Sequence, residues 1–184
     1  MKFRRADNTT TFLSRPDSKS LFSADDDEDL DYVESLVRPY RPALVKLYFR
    51  TVHPSFPVIH KAIWLEKYAR SYKEFSPPWL AAFYLIDMDW WEYDPELSSK
   101  DKPDAMALLK IAMTTLTAVI HQPKLSAVQV GLLLLQRPGG DSWVLTSQVA
   151  ALAEELGLHI DCSLWDIRDR EKGLRRRLAW AFFM

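Results

Sequence analysis

This chain of 184 residues is short of almost everything that would mark a catalyst, a DNA reader or a membrane protein. It has one cysteine, Cys162, so an internal disulfide is excluded and a reducing compartment is favoured. Its formal net charge is −1, so it lacks the basic excess by which proteins bind nucleic acid. No apolar run approaches the ~20 residues of a membrane span. The N-terminal Met-Lys-Phe-Arg-Arg is not followed by the apolar core of a secretory signal. The sequence contains no G-x-S-x-G, no H-E-x-x-H and no zinc-binding cysteine pair. Pro138-Gly139-Gly140 lacks the Lys-Ser/Thr of a phosphate loop and follows no strand. His159 and Cys162 lie three apart, but no further metal ligand, orienting base or oxyanion donor stands near them. A capping histidine and a packed cysteine are the simpler expectation. No catalytic, metal-binding or DNA-binding residue is therefore assigned, and no cofactor is expected in this chain.

Hydrophobic residues make up 48% and charged residues 27%, a balance that gives one globular domain a real core. Residues 1–30 are polar, and Asp25-Asp26-Asp27-Glu28-Asp29 buries too little to offset ordering. They are expected to form a disordered tail, with an acidic activation segment as the sharper alternative. Residues 31–184 read as helix after helix, and no stretch sustains period-two alternation. The expected fold is all-α, an antiparallel multi-helix bundle with proline-marked loops.

Leu44, Leu47, Tyr48 and Val52 share one face of the first helix, which His53-Pro54 stops. Residues 54–60, with two prolines, form a short extended plug at the bundle's mouth. A helix from Lys61 to Tyr72 turns Trp64, Leu65 and Tyr68 inward. The next starts at Ser76-Pro77-Pro78 with Trp79, Leu80, Phe83 and Ile86 as its stripe. Pro103 opens the longest helix, where Met106, Leu109, Met113, Leu116 and Ile120 make a packing seam before His121-Gln122-Pro123 ends it. Ser126 and Gln129 have capping-box spacing for a helix that is apolar all round at Leu132–Leu135, and hence central. Asp141 or Ser142 caps a helix running through Leu145, Val149, Leu152 and Leu156, and Gly157 closes it. The last helix carries Leu174, Leu178 and Ala181 inward.

Two stretches carry a family resemblance. The first is Tyr48-Phe49-Arg50-Thr51-Val52-His53-Pro54-Ser55-Phe56-Pro57-Val58-Ile59-His60-Lys61. The second runs from Trp143 through Ala150, Ala151 and Ala153, Leu156-Gly157-Leu158-His159, then Arg175-Arg176-Arg177-Leu178 and Trp180. Together they resemble the fungal-specific transcription factor domain, the middle regulatory region of the binuclear zinc-cluster activators. The wording from Trp143 to Ala181 is most similar to the nitrogen-catabolism coactivators among them. The resemblance spans about Leu44 to the end. It implies a nuclear regulator of RNA polymerase II transcription of metabolic genes, working through the transcription machinery, a DNA-binding co-regulator or a small-molecule effector. In that family zinc belongs to a separate six-cysteine DNA reader, and this chain has one cysteine, so no direct specific DNA binding is expected of it. The family domain also continues past the aromatic pair, so the chain reads as a fragment, a truncated product or a short paralogue. The alternative is a helical interaction scaffold unrelated to transcription.

Seven tryptophans and nine phenylalanines exceed what surface contacts need, so most belong to the core. Trp90 and Trp91 are adjacent on a helix and diverge, so one faces out. With Tyr93 and His159 they are the candidate partner or effector contacts. Arg175, Arg176 and Arg177 point about 100° apart and cannot form one phosphate-facing patch. Glu171 precedes Arg175 by four residues, the favourable order for an ion pair, and Glu154 and Glu155 are further candidates. The expected role of Glu171, Arg175, Arg176 and Arg177 is a structural cluster.

Overall fold

A computed structural model describes residues 2–5, 11–14, 24–119, 124–139 and 142–183. Ile120 to Pro123, Asp141 and Met184 lie outside the described residues, as does half of the expected N-terminal tail. The fold is an all-α bundle. Its helices are α1 (Ala24–Val37), α2 (Arg41–Leu47), α3 (Lys61–Arg70), α4 (Pro77–Met88), α5 (Ala105–Val119), α6 (Leu125–Leu135), α7 (Trp143–Glu155) and α8 (Asp169–Phe183). Two short strands, β1 (Lys2–Arg5) and β2 (Thr11–Ser14), pair antiparallel outside the bundle.

The boundary expected near residue 30 falls earlier. Helix α1 starts at Ala24 and takes in the acidic run. Carboxylates at a helix N-terminus complement its dipole, so the run begins a helix instead of preventing one. Leu30, Val33 and Val37, spaced by three and four, are buried against the bundle. Glu34 goes in with them. It accepts from the Tyr84 hydroxyl at 2.8 Å and from Arg41 Nη1 at 2.6 Å, and Tyr84 meets the Tyr68 hydroxyl at 2.8 Å. These bonds tie α1 to α2, α3 and α4 and satisfy a buried carboxylate.

Helix α4 is the hub. Every residue from Pro77 to Met88 is buried. Helix α6, the one expected to be central, lies beside it and is buried from Ala127 to Leu134. The aromatic residues concentrate at this hub: Trp64 stacks on Phe83 at 4.3 Å and on Tyr68 at 4.7 Å, and Phe75 stacks on Trp79 at 5.0 Å. Trp64 is buried as expected and Tyr68 partly so, whereas Leu65 is turned to solvent. The proposed seam of α5 is rotated. Leu108 and Ala112 are buried while Met106 and Met113 are exposed. Leu109 is only partly covered. Two interleaved three-four stripes run along this apolar helix, and only the position of α4 decides which one packs.

The capping box at Ser126 and Gln129 does not form. Lys124 is the N-cap of α6 and makes no side-chain cap. Gln129 is instead buried, donating from Nε2 to the Val58 carbonyl at 2.7 Å and accepting from Trp79 Nε1 at 3.4 Å. It therefore pins the extended segment: Val58 and Ile59 are buried, and the Val58 carbonyl finds its partner in α6. Upstream, Tyr48–Val52 widens into a π-helical turn, with His53 N donating to Tyr48 O. The ends of α7 are as expected. Ser142 accepts from Leu145 N, and Gly157, at φ 68°, closes the helix with Leu158 N donating to Ala153 O at 2.9 Å.

Candidate functional site

The first candidate surface is an aromatic ledge past the end of α4. The chain leaves that helix at Asp89, whose carboxylate takes two bonds from Arg137, 3.0 Å from Nε and 3.2 Å from Nη2. This bidentate pair fixes the C-terminal end of α4 to that of α6. A single 3-10 turn, Trp91–Tyr93, follows. Neighbouring side chains diverge, and Trp91 turns inward, edge-on to Tyr40 at 5.0 Å with its Nε1 donating to the Lys100 carbonyl at 3.3 Å. Trp90 and Tyr93 turn outward, 42% and 78% exposed, with rings 6.1 Å apart. Behind them Asp94 locks the turn: it accepts from Glu96 N at 2.8 Å, from Leu97 N at 3.1 Å and from Arg50 Nη2 at 2.5 Å. Burial pushes the Asp94 carboxyl up, but Arg50 and the two amides outweigh it and hold it below the ordinary carboxylate value. The ledge is thus a rigid platform with two exposed rings.

The second surface is the joint between α7 and α8. Here the arginines separate in role. Arg175 donates Nη1 to the Leu156 carbonyl at the end of α7 at 2.8 Å, pairs with Glu171 at 3.3 Å, and lies 5.0 Å over the Trp165 ring. Its charge sits where the α7 dipole is negative. Arg176 is exposed and donates to Ser163 Oγ at 3.1 Å. Arg177 turns to the opposite side, and its Nε and Nη2 are out of solvent contact without an acceptor. Glu154 and Glu155 are exposed and do not pair with the cluster; the α7 carbonyl takes their place because a backbone end needs no extra side chain to be ordered. Cys162 is buried beside Trp165 and Ile167. His159 lines a shallow groove of about 280 Å³ with Ile160, Cys162, Arg176, Ala179 and Phe183. The structure thus joins Trp90 with Tyr93, keeps Trp91 in the core, and puts His159 on a different surface.

This division predicts an ordering of effects. Arg175→Gln should lower stability by about 2 kcal/mol, since a charged hydrogen bond is worth roughly 1.5–3 kcal/mol. That corresponds to a melting temperature about 4–8 °C lower for a domain of this size. Arg176→Gln should be close to neutral, and nuclear import of a fluorescent fusion should survive both. Thermal melts decide it; equal shifts for the two variants, or lost import with unchanged melting, would contradict the structural role.

An all-helical bundle with two exposed surfaces and a cluster of ordering arginines describes a regulatory or interaction domain. The match to known proteins is specific: the model of the fungal specific transcription factor domain fits residues 45–184, and the chain belongs to that family. The transcriptional activator protein DAL81 of Saccharomyces cerevisiae is 40% identical over the whole chain, which corresponds to 19% of that protein. An uncharacterised transcriptional regulatory protein of Schizosaccharomyces pombe is 33% identical over 77% of the chain and 22% of its own length. The chain thus spans about a fifth of the length of these relatives. No solved structure matches it. It is a regulatory, non-enzymatic domain of a fungal transcription regulator.

Sequence reasoning missed the buried polar groups, among them Glu34, Asp87 and Gln129 in the helices and Asp94 behind the ledge. A lone Asp inside Pro-Pro-Trp-Leu-Ala-Ala-Phe-Tyr-Leu-Ile-Asp-Met was the available signal for the second of these. Glu34 lies in the expected helical domain but in a segment with no apolar stripe assigned to it, and Gln129 already had a local role.

Proposed function

We propose that this domain acts in the nucleus, where it adjusts RNA polymerase II transcription of metabolic genes, nitrogen-catabolic ones among them. It does so by contacting a DNA-binding co-regulator or the transcription machinery through the ledge at Trp90 and Tyr93. The observation that carries the reading is the 40% identity to a transcriptional activator along the whole chain. The mechanism follows from the ledge being rigid. Trp90 and Tyr93 are held by Asp94, Arg50 and the Asp89–Arg137 pair, so a partner that docks there loses little freedom of its target surface on binding. Large aromatic rings in such a position supply most of an interface's energy. The bundle contributes positioning, and specific DNA contact belongs to the partner.

The reading is tested by Trp90→Ala with Tyr93→Ala in the protein expressed from its own locus. Transcripts induced by a poor nitrogen source should fall about tenfold or more, while the melting temperature of the purified chain stays within about 2 °C. Unchanged transcripts in the variant would remove the ledge from the mechanism. Unchanged transcripts after deletion of the gene would remove the metabolic assignment altogether.

A further inference from the structure

The ledge at Trp90 and Tyr93 has a charge as well as a shape. Residues 89–99, Asp-Trp-Trp-Glu-Tyr-Asp-Pro-Glu-Leu-Ser-Ser, carry four carboxylates and no base. Two of the four are met by distant partners, Asp89 by Arg137 and Asp94 by Arg50. The other two, Glu92 and Glu96, are exposed and, among the described residues, belong to no ion pair. Glu92 stands in the 3-10 turn between the buried Trp91 and the exposed Tyr93. Glu96 follows on the same loop, its backbone N–H held by Asp94 Oδ1 at 2.8 Å. The nearest base along the chain, Lys100, is turned to the Tyr40 ring, with its ammonium 5.8 Å from the centroid.

Two features of this surface therefore call for the same group. The face of an aromatic ring is electron-rich and attracts a cation, and an unpaired carboxylate does so more strongly. A guanidinium satisfies both at once, because it stacks flat on a ring while its edge donates two parallel bonds to a carboxylate.

We propose that the ledge docks an arginine-bearing basic segment of a partner protein, its guanidinium groups laid on Trp90 and Tyr93 and paired with Glu92 and Glu96. This deepens the regulatory reading above and rests on it, since it names the chemistry of the partner at that surface. A second copy of the chain is a poor occupant: in a two-fold contact the ledge would face itself, acid against acid. Nucleic acid is a poor one too, because the same carboxylates repel phosphate. The rigidity of the turn matters as much as its charge. Asp94 and the Asp89–Arg137 pair already hold the backbone, so the spacing between rings and carboxylates is set before the partner arrives.

The test is a nuclear magnetic resonance titration of the whole 184-residue chain at pH 7 with acetyl-Gly-Arg-Leu-Arg-Leu-Arg-Gly-amide. Its control is the same peptide with citrulline, the uncharged isostere, at every arginine. The reporter is the indole N–H of Trp90, assigned as the signal lost in Trp90→Phe. The expected result is a saturable shift of that signal, with the citrulline peptide binding at least tenfold more weakly. Glu92→Gln combined with Glu96→Gln, both at exposed positions, should weaken binding about fivefold or more in dilute salt, and that difference should largely vanish near 1 M salt, where charges are screened within about 3 Å. An unmoved Trp90 signal, equal binding of the citrulline peptide, or undiminished binding by the double glutamine variant overturns the proposal. So does a dimer in sedimentation that Trp90→Ala dissolves, which would give the ledge to a second copy. If Trp90→Ala with Tyr93→Ala lowers transcription while the arginine peptide fails to bind, the ledge keeps its role and the charge chemistry falls. If the peptide binds as expected and transcription is unmoved, the regulatory reading fails instead.

Discussion

Gly131→Ala is expected to destabilise the bundle, although alanine is the better helix former. A Cβ built on Gly131 would stand 2.2 Å from Val149 Cγ2 and 3.5 Å from its Cβ. Helices α6 and α7 cross at this point backbone to side chain. Valine is branched at Cβ and stiff at χ1, so its methyl cannot swing aside as a long side chain could. Val149 is fully buried, so there is no solvent to move into. Overpacking of this kind costs about 1–3 kcal/mol, against roughly 1 kcal/mol recovered from helix propensity. Gly131→Val should be worse, because it adds two more carbons to the same contact. Chemical denaturation measures the losses, and a double-mutant cycle identifies the cause. In a Val149→Ala background, Gly131→Ala should become neutral or stabilising, a coupling of at least about 1 kcal/mol. A Gly131→Ala protein as stable as the parent, with no coupling to Val149, would mean that the two helices do not approach this closely.

Asp87→Asn should stabilise the protein at neutral pH, and the gain should vanish in acid. Asp87 sits in the last turn of α4 with no exposure, and neither carboxyl oxygen has a hydrogen-bond partner. Tyr48, also buried, has an unpartnered hydroxyl. Burial alone pushes the Asp87 carboxyl well above its ordinary value. Below the unfolded-chain value both states hold the proton, and the contribution of Asp87 to folding is fully present. As pH rises past that value, the unfolded chain releases the proton and the folded protein does not. Stability then falls by up to about 1.4 kcal/mol per pH unit until the folded group also ionises. Asparagine has a similar shape and no proton to lose. The free-energy difference between variant and parent, measured by denaturant titration at pH 3 to 8, should therefore be near zero in acid and grow with pH. A difference independent of pH would show that Asp87 finds a compensating partner.

Such a residue raises the question of why an apolar hub keeps a buried carboxyl in its last turn. Glu34 answers for its own case, since Arg41 and Tyr84 satisfy it and it joins α1 to α2 and α4. Asp87 has no comparable structural return, and replacing it is the direct way to learn whether it has a functional one.

Much of the architecture follows from the chain read locally. Helices α2, α4, α7 and α8 follow from their three-four spacing, and the closure at Gly157 follows from the freedom of glycine at φ 68°. The divergence of Trp90 from Trp91 is a geometric consequence of adjacency, and the Glu171–Arg175 pair one of the helical period. The family motifs point to the class of protein, since they name residues and not contacts. Each of these features depends only on residues a few places apart, so the sequence carries it in full.

The tertiary structure decided everything that depends on a distant neighbour. It made α4 the hub beside the buried α6, because both are apolar all round and only the surrounding helices distinguish them. It turned α5 toward Leu108 and Ala112, the stripe that faces α4, and left Met106 and Met113 in water. It took Gln129 from a plausible cap and spent it on the carbonyl of Val58, 71 residues away in sequence. It also drew α1 into the domain, through a carboxylate whose partners lie on α2 and α4 and which reaches α3 through Tyr84. A local pattern lists the faces a helix can bury; which one it does bury is set by the free energy of burial against partners that the pattern does not contain.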